Sequence, residues 1–192
     1  MEKDIEIEIE RPVTGSSEAM RAVKGEFMAM KNGVVADALR KGGAPFRLIF
    51  GLNLPQIAEI AAQRGVDSTL AEELWANTGT RESMLLAPML ADAATFSLDD
   101  ARRWCATVPC VEVADVLCHR LLRHLPFAAA LADEILVSGT DMSEYIGLRI
   151  YINIWRTSPA GAERAARSHV GSGCRRNAAL AADLLDRVCP NA

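Results

Sequence analysis

The sequence has few aromatic residues and no long hydrophobic run. Phe, Trp and Tyr make up only 5% of the chain, whereas half of the residues are hydrophobic, with Ala, Leu and Met prominent. This balance favours helices, because strands are rich in aromatic and β-branched residues. No apolar stretch approaches the ~20 residues needed to cross a bilayer, and the first residues do not resemble a secretion signal. The sequence therefore predicts an all-α protein without a membrane segment and with a cytoplasmic location.

The cysteines lack the spacing of a zinc site or of a disulfide framework. They are five in number, and no two of them form a C-x-x-C pair. Cys118 lies beside His119 and close to His124, but neighbouring residues on a helix point about 100° apart, which disfavours a shared metal ion. The sequence predicts no metal and no cofactor.

Net negative charge is confined to the N-terminus. The net charge of −4 arises within the first ten residues, where five acidic residues outnumber Lys3, and the other 182 residues carry equal numbers of acidic and basic side chains. In this segment Ile5, Ile7 and Ile9 alternate with glutamates, a strand-like pattern without a partner strand elsewhere. Residues 1–15 are therefore predicted to form a flexible acidic tail, and residues 16–192 a single helical domain.

Positive charge is concentrated near the C-terminus. Between residues 156 and 176, five arginines face a single acidic residue, Glu163. Such a cluster is typical of contacts to a phosphate backbone. Gly171-Ser172-Gly173 precedes two of the arginines and resembles a phosphate-binding helix start, with an ordinary glycine-rich turn as the alternative. The predicted phosphate contacts are Arg156, Arg164, Arg167, Arg175 and Arg176.

Apolar residues recur with helical spacing along most of the chain, and capping residues mark the helix starts. Short Gly/Pro/Asx turns make consecutive helices antiparallel, and helices this hydrophobic must pack on more than one side. We therefore expect stacked antiparallel helical hairpins, an α-solenoid, with a compact irregular α-bundle as the alternative. The predicted helices span about 16–30, 32–41, 54–64, 68–76, 81–90, 97–108, 110–125, 126–137, 142–155, 161–170 and 174–188.

Several segments resemble the DNA alkylation repair family of HEAT-like-repeat DNA glycosylases, and in particular its short bacterial members. The resemblance covers roughly residues 32–154 and implies a HEAT-like α-solenoid whose concave face holds duplex DNA by its backbone. The segments are Arg47-Leu48-Ile49-Phe50-Gly51-Leu52-Asn53-Leu54-Pro55, Leu74-Trp75, Thr80-Arg81-Glu82-Ser83-Met84-Leu85-Leu86-Ala87, Trp104, Glu112-Val113-Ala114-Asp115 and Tyr145-Ile146-Gly147-Leu148-Arg149.

The resemblance also implies a catalytic site. In this family an aspartate beside an aromatic pocket stabilises the positive charge that develops on the sugar as an alkylated base departs. The resemblance places this aspartate at Asp115 and its basic partner at Arg149, or at Leu148 in another register. Val111 stands four residues before Asp115, where the family has a tryptophan, so the aromatic wall is missing. The implied function is binding of duplex DNA with excision of cationic N-alkylated purines.

Purely structural roles are the alternative for the same residues. Asp115 would then be a first-turn acid favoured by the helix dipole, or an aspartate that bridges to the next repeat with Arg149 as its partner. Arg81 and Glu82 would tie turns together. The matching function is a non-catalytic HEAT-like scaffold that presents its concave face to a protein partner, and the oligomeric state is left open. The tryptophans expected in the core are Trp75, Trp104 and Trp155.

Overall fold

The computed structural model describes residues 17–190, so the predicted tail at 1–15 lies outside the described residues. These residues form eleven α-helices. A 3₁₀ turn, Leu122–His124, follows the seventh helix. The helices are α1 Glu18–Ala29, α2 Gly33–Lys41, α3 Leu54–Arg64, α4 Ser68–Ala76, α5 Arg81–Leu90, α6 Leu98–Ala106, α7 Val111–Arg120, α8 Ala128–Leu136, α9 Asp141–Ile154, α10 Pro159–His169 and α11 Arg175–Val188.

The helices stack in two layers. Helices α3, α5, α7, α9 and α11 each pack against the next and form what we call the odd-helix layer. Behind it lie α4, α6, α8 and α10, and α1 packs against α4. Consecutive helices form close hairpins in the pairs α4 and α5, α8 and α9, and α10 and α11. The expected stack of helical hairpins is therefore confirmed, and the compact bundle is not what the chain adopts.

Side-chain caps fix many of the helix starts where the sequence predicts them. In four helices the capping side chain accepts a hydrogen bond from the backbone N–H three residues ahead; the capping residues are Ser17, Asn32, Asn53 and Asp67. Each bond satisfies one of the backbone N–H groups that have no partner within the first turn of a helix. The start of α9 differs from the prediction by one residue. Thr140 is the cap there, in a reciprocal capping box with Ser143.

The predicted helix from 110 to 125 is wrong in its last five residues. Helix α7 ends at Arg120, and the chain continues as the 3₁₀ turn. Leu125 precedes Pro126, whose ring disfavours helical backbone angles in the residue before it, and Leu125 is extended with ψ 138°. The turn nevertheless keeps Leu121, Leu122 and Leu125 buried.

Helix α5 is the most deeply buried helix, and its apolar pattern is nearly continuous. Every residue from Arg81 to Pro88 is buried. The helix extends two residues beyond Pro88, to Leu90, so the proline does not end it. Pro88 has no N–H to donate to the preceding turn.

The irregular connection at 46–53 is packed down on the helices. Its backbone forms a short parallel bridge, in which Leu48 N–H donates to Gly79 O at 2.9 Å. The fully buried Glu82 carboxylate accepts the N–H groups of Phe50 and Gly51 at 3.1 and 2.9 Å. Arg81 donates to Leu52 O at 2.9 Å. These contacts confirm that Arg81 and Glu82 hold turns together.

Two of the three tryptophans are core residues. The rings of Trp75 and Trp104 are stacked with centroids 4.2 Å apart, and both are buried. Their indole N–H groups donate to Thr107 Oγ1 at 2.9 Å and to Glu72 Oε1 at 3.1 Å. Trp155 is only partly buried at the edge of the core, so the prediction for this residue was too strong.

No helix between residues 17 and 190 is both long enough and apolar enough to cross a membrane.

Candidate nucleic-acid interface

The predicted site residues lie where α7 and α9 run side by side in the odd-helix layer. The Asp115 carboxylate oxygen Oδ1 accepts a hydrogen bond from Tyr145 Oη at 2.7 Å. Arg149 Nε lies 2.8 Å from the same oxygen. One turn further on, His119 of α7 approaches Asn153 of α9. Because the contacts advance in the same order on both helices, α7 and α9 are parallel.

Asp115 therefore bridges two neighbouring repeats. It lies in the second turn of α7, where Glu112 is the acidic residue of the first turn, so the first-turn interpretation of Asp115 is wrong. Leu148 is fully buried, and Arg149 is the residue that contacts Asp115. The structure thus shows the contact expected of a bridging aspartate.

The carboxylate of Asp115 remains partly open to solvent. Its side chain is 36% exposed and that of Arg149 is 31% exposed. The Arg149 Nε–H is buried and is not directed at the carboxylate with hydrogen-bond geometry, so the contact is an ion pair. Burial, followed by the hydrogen bond to Asp115, raises the pKa of Tyr145 well above its usual range. Tyr145 therefore stays protonated and acts as the donor.

Val111 occupies the position of the missing tryptophan and lines a groove at the N-terminal end of α7. The groove has a volume of about 570 Å³, and it also contains Phe46, Met142 and Arg176. Val111 is partly exposed. The aliphatic side chain offers no ring on which a nucleobase can stack.

The opposite end of α7 carries a second groove with a different character, which we call the basic groove. It has a volume of about 310 Å³. One wall is apolar and is formed by α3, the turn after it and α5, and the other wall is basic and is formed by α7 and the 3₁₀ turn. The lining residues are Ala58, Ala61, Ala62, Gly65, Val66, Met89, His119, Arg120, Arg123 and His124, with no carboxylate among them.

The basic wall is organised around Arg123. Its Nε donates to His124 Nε2 at 3.1 Å, and its Nη1 lies 3.4 Å from His119 Nδ1. Burial, with a contribution from the Arg123 charge, lowers the pKa of His124, so this imidazole is neutral at pH 7. Arg120 is exposed and has no ion-pair partner within residues 17–190.

The sequence interpretation missed the basic groove. The groove brings Arg120 and Arg123 to residues of α3 and α5 that lie far away in sequence. The available signal was local: four basic or imidazole side chains fall within residues 119–124.

The five arginines predicted to contact phosphate do not form one patch. Arg164 is bound by the carboxylate of Asp133 at 3.0 and 2.8 Å, and Arg167 by Glu163 at 2.8 Å; both arginines lie on α10, in the other layer. The remaining three are exposed. Arg156 follows α9, with its guanidinium 4.6 Å from the ring centroid of Trp155, and Arg175 and Arg176 begin α11.

Cys118 and the two histidines point in different directions, as the helical spacing predicts. Cys118 is fully buried, and its Sγ lies 3.8 Å from Ile146 O. Burial raises the pKa of this thiol well above its usual value. His119 and His124 are exposed on the basic groove. The cysteine is therefore a core residue rather than part of the groove.

The two stacked layers and the polar contacts between α7 and α9 define a HEAT-like α-solenoid protein. The family model of the DNA alkylation repair enzymes matches residues 23–144, and the chain belongs to this family. The resemblance found in the sequence is thereby confirmed.

A solved structure supports the same fold. It comes from a family of proteins related to the HEAT-like repeat DNA glycosylases, with affinity for branched DNA structures. The TM-score is 0.74 at 20% sequence identity, over 88% of this chain and 74% of the other. No curated protein matches the sequence.

Proposed function

We propose that this protein binds DNA through the backbone phosphates, and that the basic groove is the centre of the contact surface. The observation that carries the proposal is the lining of this groove, which contains Arg120, Arg123 and two imidazoles but no carboxylate. Membership of the DNA alkylation repair family supports it. So does the fold shared with a protein that has affinity for branched DNA.

The chemistry of the groove suits a phosphate backbone. Exposed guanidinium groups attract phosphates and release condensed counterions on binding. The small side chains of Ala58 and Ala62 on the facing wall allow a close approach. Asp115 lies one helical turn before His119 of the groove, and its charge is offset by Arg149. This arrangement favours DNA over the scaffold function, because a wall with two guanidinium groups and no carboxylate suits a polyanion.

We further propose that the surface extends to exposed arginines at the two edges of the odd-helix layer, where its helices begin and end. Arg156 lies at the end of α9, and Arg175 and Arg176 at the start of α11. Arg164 and Arg167 contribute less in this proposal, because each would have to leave a carboxylate partner to bind a phosphate.

The test is a titration of labelled duplex and of a labelled four-way junction, followed by fluorescence anisotropy at several salt concentrations. The double variant Arg120→Ala, Arg123→Ala should bind about tenfold more weakly, and the plot of log K against log salt should be less steep by about 1 to 2. Arg102→Ala is the matched control, since Arg102 lies on α6 and pairs with Glu134 in the other layer. Equal affinities of the wild type and the double variant would refute the proposal.

Excision of a cationic alkylated purine is the second candidate function, and the exposed third of the Asp115 side chain supports it. When the bond between the sugar and the base nitrogen breaks, the sugar gains positive charge. A carboxylate fixed by Tyr145 and Arg149 would stabilise that charge electrostatically. The absence of a stacking ring at Val111 weakens the candidate relative to simple binding.

Release of N3-methyladenine or N7-methylguanine from methylated DNA tests this second function. We expect Asp115→Asn to lower any release by about 100-fold, in line with the loss of one electrostatic stabiliser, while DNA affinity and the thermal unfolding midpoint stay close to those of the wild type. A wild-type protein that binds DNA but releases neither base rules out excision of these bases and leaves the binding function intact.

A further inference from the structure

We propose that the basic groove also binds the acidic N-terminal segment of its own chain, residues 2–10, so that this segment and DNA compete for one surface. The competition rests on the proposed DNA-binding function. The binding of the segment to the groove does not depend on that function.

The distribution of charge is the first argument. Residues 1–10 carry the entire net charge of −4, and the rest of the chain is neutral. Most arginines of the described region already have carboxylate partners, for example Arg81, Arg102 and Arg103. In the basic groove, by contrast, the exposed Arg120 and the partly exposed Arg123 lie together in a lining that contains no carboxylate. The acidic segment supplies the complementary charge.

The alternation of the segment is the second argument. In an extended chain, successive side chains point to opposite sides, so Ile5, Ile7 and Ile9 would face one way and the intervening glutamates the other. The groove has two matching walls. Its apolar wall includes Val66, which is 68% exposed to solvent, and its basic wall carries Arg120 and Arg123. An extended segment lying between the walls would satisfy both.

The position of α1 is the third argument. Glu26 of α1 forms an ion pair with Arg64, the last residue of α3, and the next two residues, Gly65 and Val66, line the groove. At the other end of α1, Ser17 donates a hydrogen bond to Glu73 of α4, and nine helical residues, about 13 Å, separate Ser17 from Glu26. Residues 11–16 join the segment to Ser17, and six extended residues span up to about 20 Å, which exceeds the length of α1 between Ser17 and Glu26. Length does not prevent the contact.

The groove beside Val111 is the competing location, and it fits the segment less well. It is larger and contains apolar side chains, but its lining has a single arginine, Arg176, together with the carboxylate of Glu112. Five acidic side chains would find little compensation there.

The first experiment measures duplex binding by the full-length chain and by a full-length variant with a neutral segment, in which Glu2, Glu6, Glu8 and Glu10 become Gln and Asp4 becomes Asn. We expect the neutral variant to bind about three- to tenfold more tightly at low salt, with the difference shrinking as salt is added. In the Arg120→Ala, Arg123→Ala background the gain should disappear. Equal affinities of the two full-length chains, or a gain that persists in that background, would overturn the competition.

The second experiment locates the segment directly. A photoreactive phenylalanine analogue in place of Ile7 should cross-link to residues 58–66 or 119–124, and an excess of duplex should suppress the cross-link. Cross-links confined to other regions would overturn the occupancy. If neither chain binds DNA, the proposed function and the competition fail together, whereas a cross-link to the groove still supports the intramolecular contact.

Discussion

Gly51 is the residue at which the backbone leaves least room for change. It has φ +85°, in the left-handed region, and a Cβ at this position would lie 2.2 Å from Asn32 O. We expect Gly51→Ala to cost about 1–2 kcal/mol for the backbone conformation and about 1–3 kcal/mol more for the overlap. Urea unfolding measures the loss.

Gly43 provides the matched control for this substitution. It has nearly the same φ, +83°, but a Cβ there would meet no atom within 4 Å. Gly43→Ala should therefore lose only the backbone contribution, about 1–2 kcal/mol. If both variants lose the same stability, the close approach of the 46–53 connection to α2 is not what requires glycine at position 51.

Single residues also show where sequence interpretation reaches its limit. Asp115 was located from a short motif, because its neighbours along the chain carry the family pattern. Tyr145 was not assigned to the site, although its hydroxyl contacts Asp115. The two residues lie 30 positions apart, and only the packing of α7 on α9 brings them together. The histidines and arginines of the basic groove were overlooked for the same reason, since their partners come from α3 and α5.

At the scale of helices, local signals predict the boundaries well where the signal is a cap. The bounds of α4 match the prediction to the residue, because the Asp67 side chain caps its first turn. The end of α7 was missed because the apolar spacing continues through Leu125, while the backbone responds to Pro126. A proline affects the residue before it regardless of the hydrophobic pattern.

The hairpin of α8 and α9 depends on a close approach at Gly147. A Cβ on Gly147 would lie 2.6 Å from Leu136 Cγ and 3.2 Å from Ala132 O. We expect Gly147→Ala to lower the free energy of unfolding by about 1–3 kcal/mol, although alanine is the better helix former by about 1 kcal/mol. Thermal and urea unfolding measure the change.

Two further variants separate crowding from helix propensity. The double variant Gly147→Ala, Leu136→Ala removes the overlapping side chain, so the two substitutions should be less than additive. Gly25→Ala lies on the exposed side of α1 with no atom within 4 Å of the added Cβ, and it should stabilise the protein by up to about 1 kcal/mol. Full additivity in the double variant would show that the α8 and α9 contact is not limited by Leu136.

At the scale of the whole molecule, the layers are joined by one continuous core. Buried apolar residues form a single cluster that extends from Met20 in α1 to Leu184 in α11. Charged contacts also cross between repeats, as in Arg81 with Glu112 and Arg102 with Glu134. The stack was predictable from hydrophobic spacing and short connections. Which face of the stack carries the basic groove was not, because that depends on how side chains from three helices converge.

The continuous core predicts that residues 17–190 unfold as one unit. Far-ultraviolet circular dichroism reports all helices, whereas tryptophan fluorescence in a Trp155→Phe variant reports the stacked pair Trp75 and Trp104 in α4 and α6. The two signals should give the same urea midpoint and the same free energy of unfolding, because a two-state transition has no populated intermediate. A fluorescence transition that separates from the loss of helix would show that the repeats at one end unfold independently, and would contradict the single helical domain predicted for residues 16–192.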